Sequence, residues 1–346
     1  MQSSEFMKEA LFGKTPEELK EICQPLGLPG YTANQIVNWL YQKPITSIEE
    51  MTNLSQKART SLSQGYSFGL IPYTKVQEST DGTRKYLFPT SGHQFIETAM
   101  IPDRDRKTVC VSSQVGCKMG CLFCMTGKQG FQGQLSAGEI VNQIRSIDER
   151  DDVSNIVFMG MGEPFDNLDE VLKAVRILTS DWGFAMSPRR ITVSSIGIIP
   201  GLIRFLNESE AHLAISMHSP FHEERQRIMP VEIAYQLKDI LDEIRQFDFG
   251  GQRRVSFEYI VFHQLNDTPR HVRELGRILN GIKCRINLIR FHPIPDTPLK
   301  GTDEQTLQDF KDQLNARGIT TTIRASRGQD IYAACGLLST KELVGK

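Results

Sequence analysis

From residue 108 onward the chain alternates short β-prone runs with amphipathic stretches, and this alternation restricts the fold more than any other feature. The runs are "TVCVSS", "NIVFMG", "RRITVSS", "HLAISMH", "RVSFEYIVF", "CRINLIRF" and "ITTTIRA". Between them lie segments with apolar residues at helical spacing, the clearest being "SAGEIVNQIRSIDER", "LDEVLKAVRILTS", "TPRHVRELGRILN" and "TDEQTLQDFKDQL". The first of these opens on a capping box running from Ser136 to Glu139. Repeated strand-then-helix units imply a parallel sheet, because parallel neighbours need a crossover and a helix supplies it. Six or seven strands are too few for a closed eight-stranded barrel, and suit a partial barrel or an open doubly wound sheet. In both, the chemistry belongs at the carboxyl ends of the strands.

Upstream the pattern changes. Residues 1–75 read as a small all-helical module: Thr15, Pro16, Glu17 and Glu18 give a cap, a proline at the first helical position and an acidic first turn. "YTANQIVNWLYQK" carries Ile36, Leu40 and Tyr41 at helical spacing. Residues 76–107 read as a β-hairpin leading into the core, with "RKYLFP" and "QFIETAMIP" separated by Thr90, Ser91, Gly92 and His93. Residues 108–346 form the α/β core and its C-terminal extension.

The 39% hydrophobic and 23% charged content over 346 residues is that of an ordinary globular chain. No uncharged apolar run of about 18 residues occurs, and "MQSSEFMKEALFGK" lacks a secretory apolar stretch, so the expected location is the cytoplasm without a membrane span. A net charge of −1 says nothing of a polyanionic partner; any such binding rests on local basic patches.

Seven cysteines are sparse and odd in number, and three of them fall within "CKMGCLFC", residues 117 to 124. Such clustering favours metal or catalysis over a disulfide framework. Three thiolates can hold three irons of a [4Fe–4S] cubane and leave the fourth open. A zinc site completed by a distant His or Cys (Cys110, Cys284 and Cys335 are available) is the alternative, but structural zinc usually shows paired C-x-x-C knuckles.

The spacing Cys117-x-x-x-Cys121-x-x-Cys124, with Phe123 before the last cysteine, resembles the radical S-adenosylmethionine superfamily, and "FMGMGEP" resembles its glycine-rich segment after the second strand. Across "CVSSQVGCKMGCLFCMTGKQGF", "MGMGEP", "SPRRITVSSIG", "AISMHSP" and "GQDIYAACG" the chain is similar to the bacterial enzymes that methylate adenine C2 in 23S rRNA and in the tRNA anticodon loop. The resemblance implies a partial parallel (β/α)6 barrel, a [4Fe–4S] cluster on Cys117, Cys121 and Cys124, and two S-adenosylmethionine molecules per methylation. It implies that Cys335 is methylated and carries the methyl carbon, and that Cys110 then forms a transient disulfide with it. It makes Glu97 the general base, and assigns Gly162, Glu163, Ser194, Ser216, Met217, His218 and His292 to S-adenosylmethionine. His292 stands where other members have Asn. Adenine C2 is electron-poor, so radical addition is the plausible route. Cys23 and Cys284 match nothing in the family and read as structural.

The partners this implies are 23S rRNA, tRNA and a low-potential donor such as flavodoxin or ferredoxin, with the chain a monomer. Arg104, Arg106, Lys107, Lys118, Lys128, Arg189, Arg190, Arg324 and Arg327 recur near loops and strand ends and suggest a phosphate-binding rim. Two other readings remain at this point: methylation at C8 of the same adenine, and a noncatalytic RNA-binding iron–sulfur sensor in which Cys110 and Cys335 are dispensable.

Overall fold

The computed structural model describes residues 8–250 and 253–340. Its N-terminal part comprises β1 (Glu9–Ala10), α1 (Pro16–Cys23), α2 (Tyr31–Gln42), α3 (Gln56–Gly65) and β2 (Tyr66–Ser67), with β1 and β2 paired in parallel. Thr15 and Glu18 close the capping box at the start of α1, as the residue order predicts. On α2 the periodic apolar face is the buried one, through Ile36, Val37, Leu40 and Tyr41. These helices are seated on the α/β body. The Tyr41 ring lies 5.8 Å from Trp182 and 6.0 Å from Phe184, and a methyl group on Gly13 would collide with the Gly138 backbone. One continuous apolar core runs through both parts.

Next come β3 (Lys75–Glu78), β4 (Arg84–Pro89), β5 (Phe95–Asp103), β6 (Arg106–Cys110), β7 (Gln114–Val115), α4 (Met125–Gln129), β8 (Gly133–Gln134) and α5 (Ala137–Arg145). The regular alternation continues with β9 (Asn155–Phe158), α6 (Leu168–Thr179), β10 (Ile191–Ser195), α7 (Ile199–Glu208), β11 (His212–Ser216), α8 (His222–Ile228) and α9 (Leu237–Gln246). It ends with β12 (Val255–Val261), α10 (Pro269–Ile278), β13 (Cys284–Arg290), α11 (Glu304–Ala316) and β14 (Thr320–Ile323).

Ten strands form one sheet in the order β14-β13-β12-β11-β10-β9-β6-β5-β4-β3. From β6 to β14 every pairing is parallel and neighbours follow chain order. That is the wind of a barrel, without the reversal of a doubly wound sheet. The sheet keeps two edges, so the barrel is partial. The hairpin expected to lead into the core supplies antiparallel strands to this same sheet, β4 pairing β5 with Pro89 opposite Phe95, and β5 pairing β6.

Strand period two decides which face becomes the site. Ile215, Phe257 and Ile286 lie in one row across β11, β12 and β13, fully buried in the core. One residue further along, Ser216, Glu258 and Asn287 form the next row, which points to the opposite face. The barrel thus has an apolar side under its helices and a polar row inside. Among the described residues no helix is long and apolar enough to cross a membrane.

Candidate active site

The cysteine loop is held at both ends before any metal is considered. β7 and β8 pair antiparallel on either side of it, and α4 begins directly after Cys124. Gly116 has φ +72°, and any Cβ there would strike the Gly130 carbonyl, so the loop closes only with glycine at that position. The Leu122 N–H donates to the Ile228 carbonyl at 3.0 Å, fixing the loop against α8. The C-terminal segment is attached to α4: Met125 N–H donates to Gly336 O at 2.8 Å and Thr126 Oγ1 to Leu338 O at 2.8 Å.

These attachments bring distant parts of the chain around one cavity of about 150 Å³ at the carboxyl ends of the parallel strands. Cys117, Cys121 and Cys124 line it, together with Gly162 and Glu163 after β9, Ser194 on β10, Ser216 and His218 at the end of β11, and Cys335. All nine are residues the sequence singles out. Four others named there stand elsewhere. Met217 is fully buried and Cys110 is nearly so, packed with Ala99 and Ala333 behind the cavity. His292 is half-buried beyond β13 and does not line the cavity. Glu97 is fully buried on β5, ion-paired with Lys85 at 3.0 Å, and its Oε2 accepts from Ser339 N–H at 2.9 Å. It stands behind the segment that carries Cys335.

The donor set suits a cluster. Three thiols open into one cavity, yet among the described residues no group of three His, Cys, Asp or Glu side chains is placed to hold a metal ion. Burial pushes the Cys117 thiol up to about 12 and the Cys121 thiol well above its ordinary range, so both are neutral thiols in the cluster-free chain and ligation to iron would displace their protons.

Glu163 is the most constrained acid in the wall. Its carboxylate accepts from Ser195 Oγ at 2.6 Å, Phe165 N–H at 2.9 Å and Ile196 N–H at 3.1 Å, while Gly162, at φ +100°, lets the turn pass against Gln114. Burial outweighs these bonds and raises the Glu163 carboxyl from an ordinary 4.5 to about 7. Between those two values the folded chain holds a proton that the unfolded chain releases, so this group's contribution to stability falls as pH rises through the window. Thermal melts of cluster-free protein from pH 4.5 to 7 are expected to show a less negative slope of stability against pH in Glu163→Gln than in the parent; identical slopes would contradict the assignment.

His218 adopts φ +56°, rare for a residue with a Cβ. Asn266 holds it there by donating from Nδ2 to the carbonyls of His218 (2.6 Å) and Ile260 (2.7 Å). His218 Nδ1 accepts from Ile260 N–H at 3.0 Å, and burial lowers its pKa to about 3. The ring is therefore neutral with its proton on Nε2, edge-on to Phe123 at 4.7 Å.

Several residues that shape the site escape sequence reading. Arg225 on α8 is fully buried. It donates to the carbonyls of Ile196 (2.8 Å), Ser216 (3.0 Å) and Met217 (3.1 Å), and is paired with buried Glu232. It thereby ties together the carboxyl ends of β10 and β11. Glu258, mid-strand on β12, lines the cavity and faces Arg324 at 3.4 Å. Of the basic residues expected on an RNA rim, Lys107 and Lys118 are paired with Asp152 and Asp166. Lys128 donates to the Pro295 and Asp296 carbonyls, and Arg324 turns inward.

A partial barrel wound in chain order, with three cysteines at its carboxyl end, defines the class of radical S-adenosylmethionine enzymes, and residues 111–275 match the model of the radical SAM superfamily. Residues 10–67 match the ribosomal RNA large subunit methyltransferase N-terminal domain. A relative from Phocaeicola vulgatus, described as a probable dual-specificity RNA methyltransferase RlmN, is 56% identical over 96% of this chain and 95% of its own. The dual-specificity RNA methyltransferase RlmN of Syntrophus aciditrophicus is 42% identical over 95% of this chain and 96% of its own. The crystal structure of a radical SAM methyltransferase from Sphaerobacter thermophilus superposes with a TM-score of 0.89 at 38% identity, covering 96% of this chain and all of that one. The chain belongs to the RlmN family of radical S-adenosylmethionine RNA methyltransferases.

Proposed function

We propose that this enzyme methylates C2 of an adenine in 23S rRNA, at the peptidyl-transferase centre, and C2 of the adenine 3′ of the anticodon in tRNA, with Cys335 as methyl carrier. The observation that carries this reading is the meeting of Cys335 with the cluster cysteines at one cavity, with Cys110 close behind. The two cysteines come from opposite ends of the barrel sequence, yet the Cys110 thiol is pushed up to about 12 by burial first and then by the charge of Cys335. Cys110 also packs against Ala333, two residues from Cys335.

When bound, the cluster and S-adenosylmethionine supply a methyl group and the radical that removes a hydrogen from it. Cys117, Cys121 and Cys124 hold the cluster as thiolates. Gly162 and Glu163 receive the amino group of S-adenosylmethionine, and Ser194, Ser216 and His218 surround the remainder. Met217 fixes the end of β11 through its carbonyl bond to Arg225, and His292, outside the cavity lining, is assigned to the ribose or adenine by its place in the family pattern alone. Cys335 carries the methyl carbon on sulfur and presents it to adenine C2. Glu97 takes the C2 proton as general base; its carboxylate already contacts the segment bearing Cys335 through Ser339. With one electron of the adduct returned to the cluster that would be bound there, the Cys110 thiolate attacks the Cys335 sulfur; the disulfide forms, the sulfur–carbon bond breaks with its pair passing to the base, and the base takes up a proton to give the methyl group. A low-potential donor such as flavodoxin or ferredoxin, and a reductant for the disulfide, complete the cycle in the cytoplasm.

Cys110→Ala leaves the last step without its nucleophile. It is expected to accumulate protein covalently joined to RNA, visible as a shifted band that disappears on RNase treatment. Free methylated RNA with no adduct would sink the resolving role.

A further inference from the structure

Arg324 follows β14, where its N–H donates to the Leu288 carbonyl at 2.8 Å and its own carbonyl accepts from Arg290. The side chain turns into the barrel. Its Nε faces Glu258 Oε2 at 3.4 Å, and its Nη1 donates to Met159 Sδ at 3.3 Å. Neither partner satisfies it well. Glu258 Oε2 is buried without a hydrogen-bond donor, and a thioether is a weak acceptor for a guanidinium N–H. Glu258 is itself fixed from its other oxygen, which accepts from Asn287 Nδ2 at 2.7 Å and Ser256 Oγ at 3.2 Å. The carboxylate therefore orients the arginine without saturating it.

What lies beside Met159 is sulfur. Met159 packs against the apolar cluster of Cys110 and Ala333, and it lines the cavity together with Glu258 and Cys335. A thiolate here is a far better acceptor than the thioether. The charged groups facing the Cys335 thiol are Arg324 and Glu258; those facing Cys110 are Cys335 and Arg324. We propose that Arg324, oriented by Glu258, is the positioning residue that holds the Cys335 sulfur as a thiolate ready to take the methyl group. The inference rests on the reading of Cys335 as methyl carrier.

The step balances simply. Cys335 loses its proton to solvent, the thiolate pair forms the new sulfur–methyl bond, and the methyl–sulfonium bond of S-adenosylmethionine breaks with its pair retained on sulfur, so S-adenosylhomocysteine leaves. Nothing is oxidised. Desolvation by the surrounding cavity wall raises the Cys335 thiol, although the residue is exposed to the cavity, and Arg324 is the group that pulls it down, as a cation does beside reactive cysteines.

The test is the pH dependence of Cys335 alkylation by iodoacetamide, read from its peptide by mass spectrometry in full-length, cluster-loaded protein without S-adenosylmethionine. Cys335 is exposed to the cavity and open to the reagent. In Arg324→Met the midpoint is expected to rise by about 1–3 pH units, the range for loss of a neighbouring opposite charge. In Arg324→Lys much of that rise is reversed. In Glu258→Gln, a second variant that keeps the arginine, the midpoint moves down. Unchanged midpoints in Arg324→Met and Glu258→Gln would overturn the proposal, as would faster alkylation at every pH with no shift, which marks lost packing alone. If Cys335→Ala still methylates RNA, the carrier reading fails while these shifts remain readable on their own.

Discussion

Cys335→Ala is expected to lower methyl transfer to RNA by about 10³-fold or more, to background, while iron and sulfide content stay at the parent level. The expectation follows from where the residue sits. Cys335 lines the cavity but lies outside the loop of Cys117, Cys121 and Cys124, so its loss leaves the cluster ligands in place. The C-terminal segment also stays attached without its thiol, because the bonds to α4 run through Gly336 O, Leu338 O and Thr340. Adenine C2, the proposed target, is not nucleophilic and would offer no alternative path to the methyl group. Anaerobic assays with labelled S-adenosylmethionine, beside iron analysis of the same sample, check both halves. Methylation at the parent rate would remove the carrier role, and loss of iron would make Cys335 a ligand.

Arg225→Met is expected to destabilise the fold by about 3–5 kcal/mol, the cost of leaving a buried charge uncompensated. Glu232 is 1% exposed, and without the arginine its carboxylate keeps only the Leu237 N–H and His222. The backbone carbonyls of Ile196 and Ser216 lose the arginine's hydrogen bonds at the same moment, and that of Met217 keeps only the Ser219 N–H at 2.7 Å among the described residues. Arg225→Met/Glu232→Gln is expected to lose less than the single variant, because the stranded charge is gone. Urea unfolding midpoints and slopes test this; a single-variant loss under about 1 kcal/mol would show that the pair is not the clamp described.

The parts of this molecule that sequence discloses are those encoded locally. The cap at Thr15 and the capping box at Ser136 are four-residue patterns and form as read, Thr15 closing a full capping box with Glu18. The cysteine loop is legible because its three cysteines lie within eight residues, and the alternation of strands and helices indicates the parallel wind. β3 escapes notice because "KVQE" is short, polar and largely exposed, with no apolar alternation to mark it. It pairs only with β4 at the sheet edge. Arg225 on α8 and Glu258 on β12 carry no local signal in the sequence, and their roles arise from partners elsewhere in the chain. Arg324 is expected on an RNA-binding rim and turns inward instead, because Leu288 pairs with Ile323 and the next residue meets Glu258. Cys335 and Cys110, each an unremarkable small residue by itself, acquire meaning from the family pattern. Their proximity at the cavity is a property of the fold alone.

Position on the base is the central claim, and nucleoside mass spectrometry tests it most directly. Large-subunit rRNA and tRNA would be incubated anaerobically with reconstituted enzyme, reductant and S-adenosylmethionine, digested, and resolved against isomeric standards. The expected product is 2-methyladenosine in both RNAs. 8-Methyladenosine would contradict the C2 assignment while keeping the chemistry, and an absence of methylated adenosine from enzyme with an intact cluster would contradict the substrate.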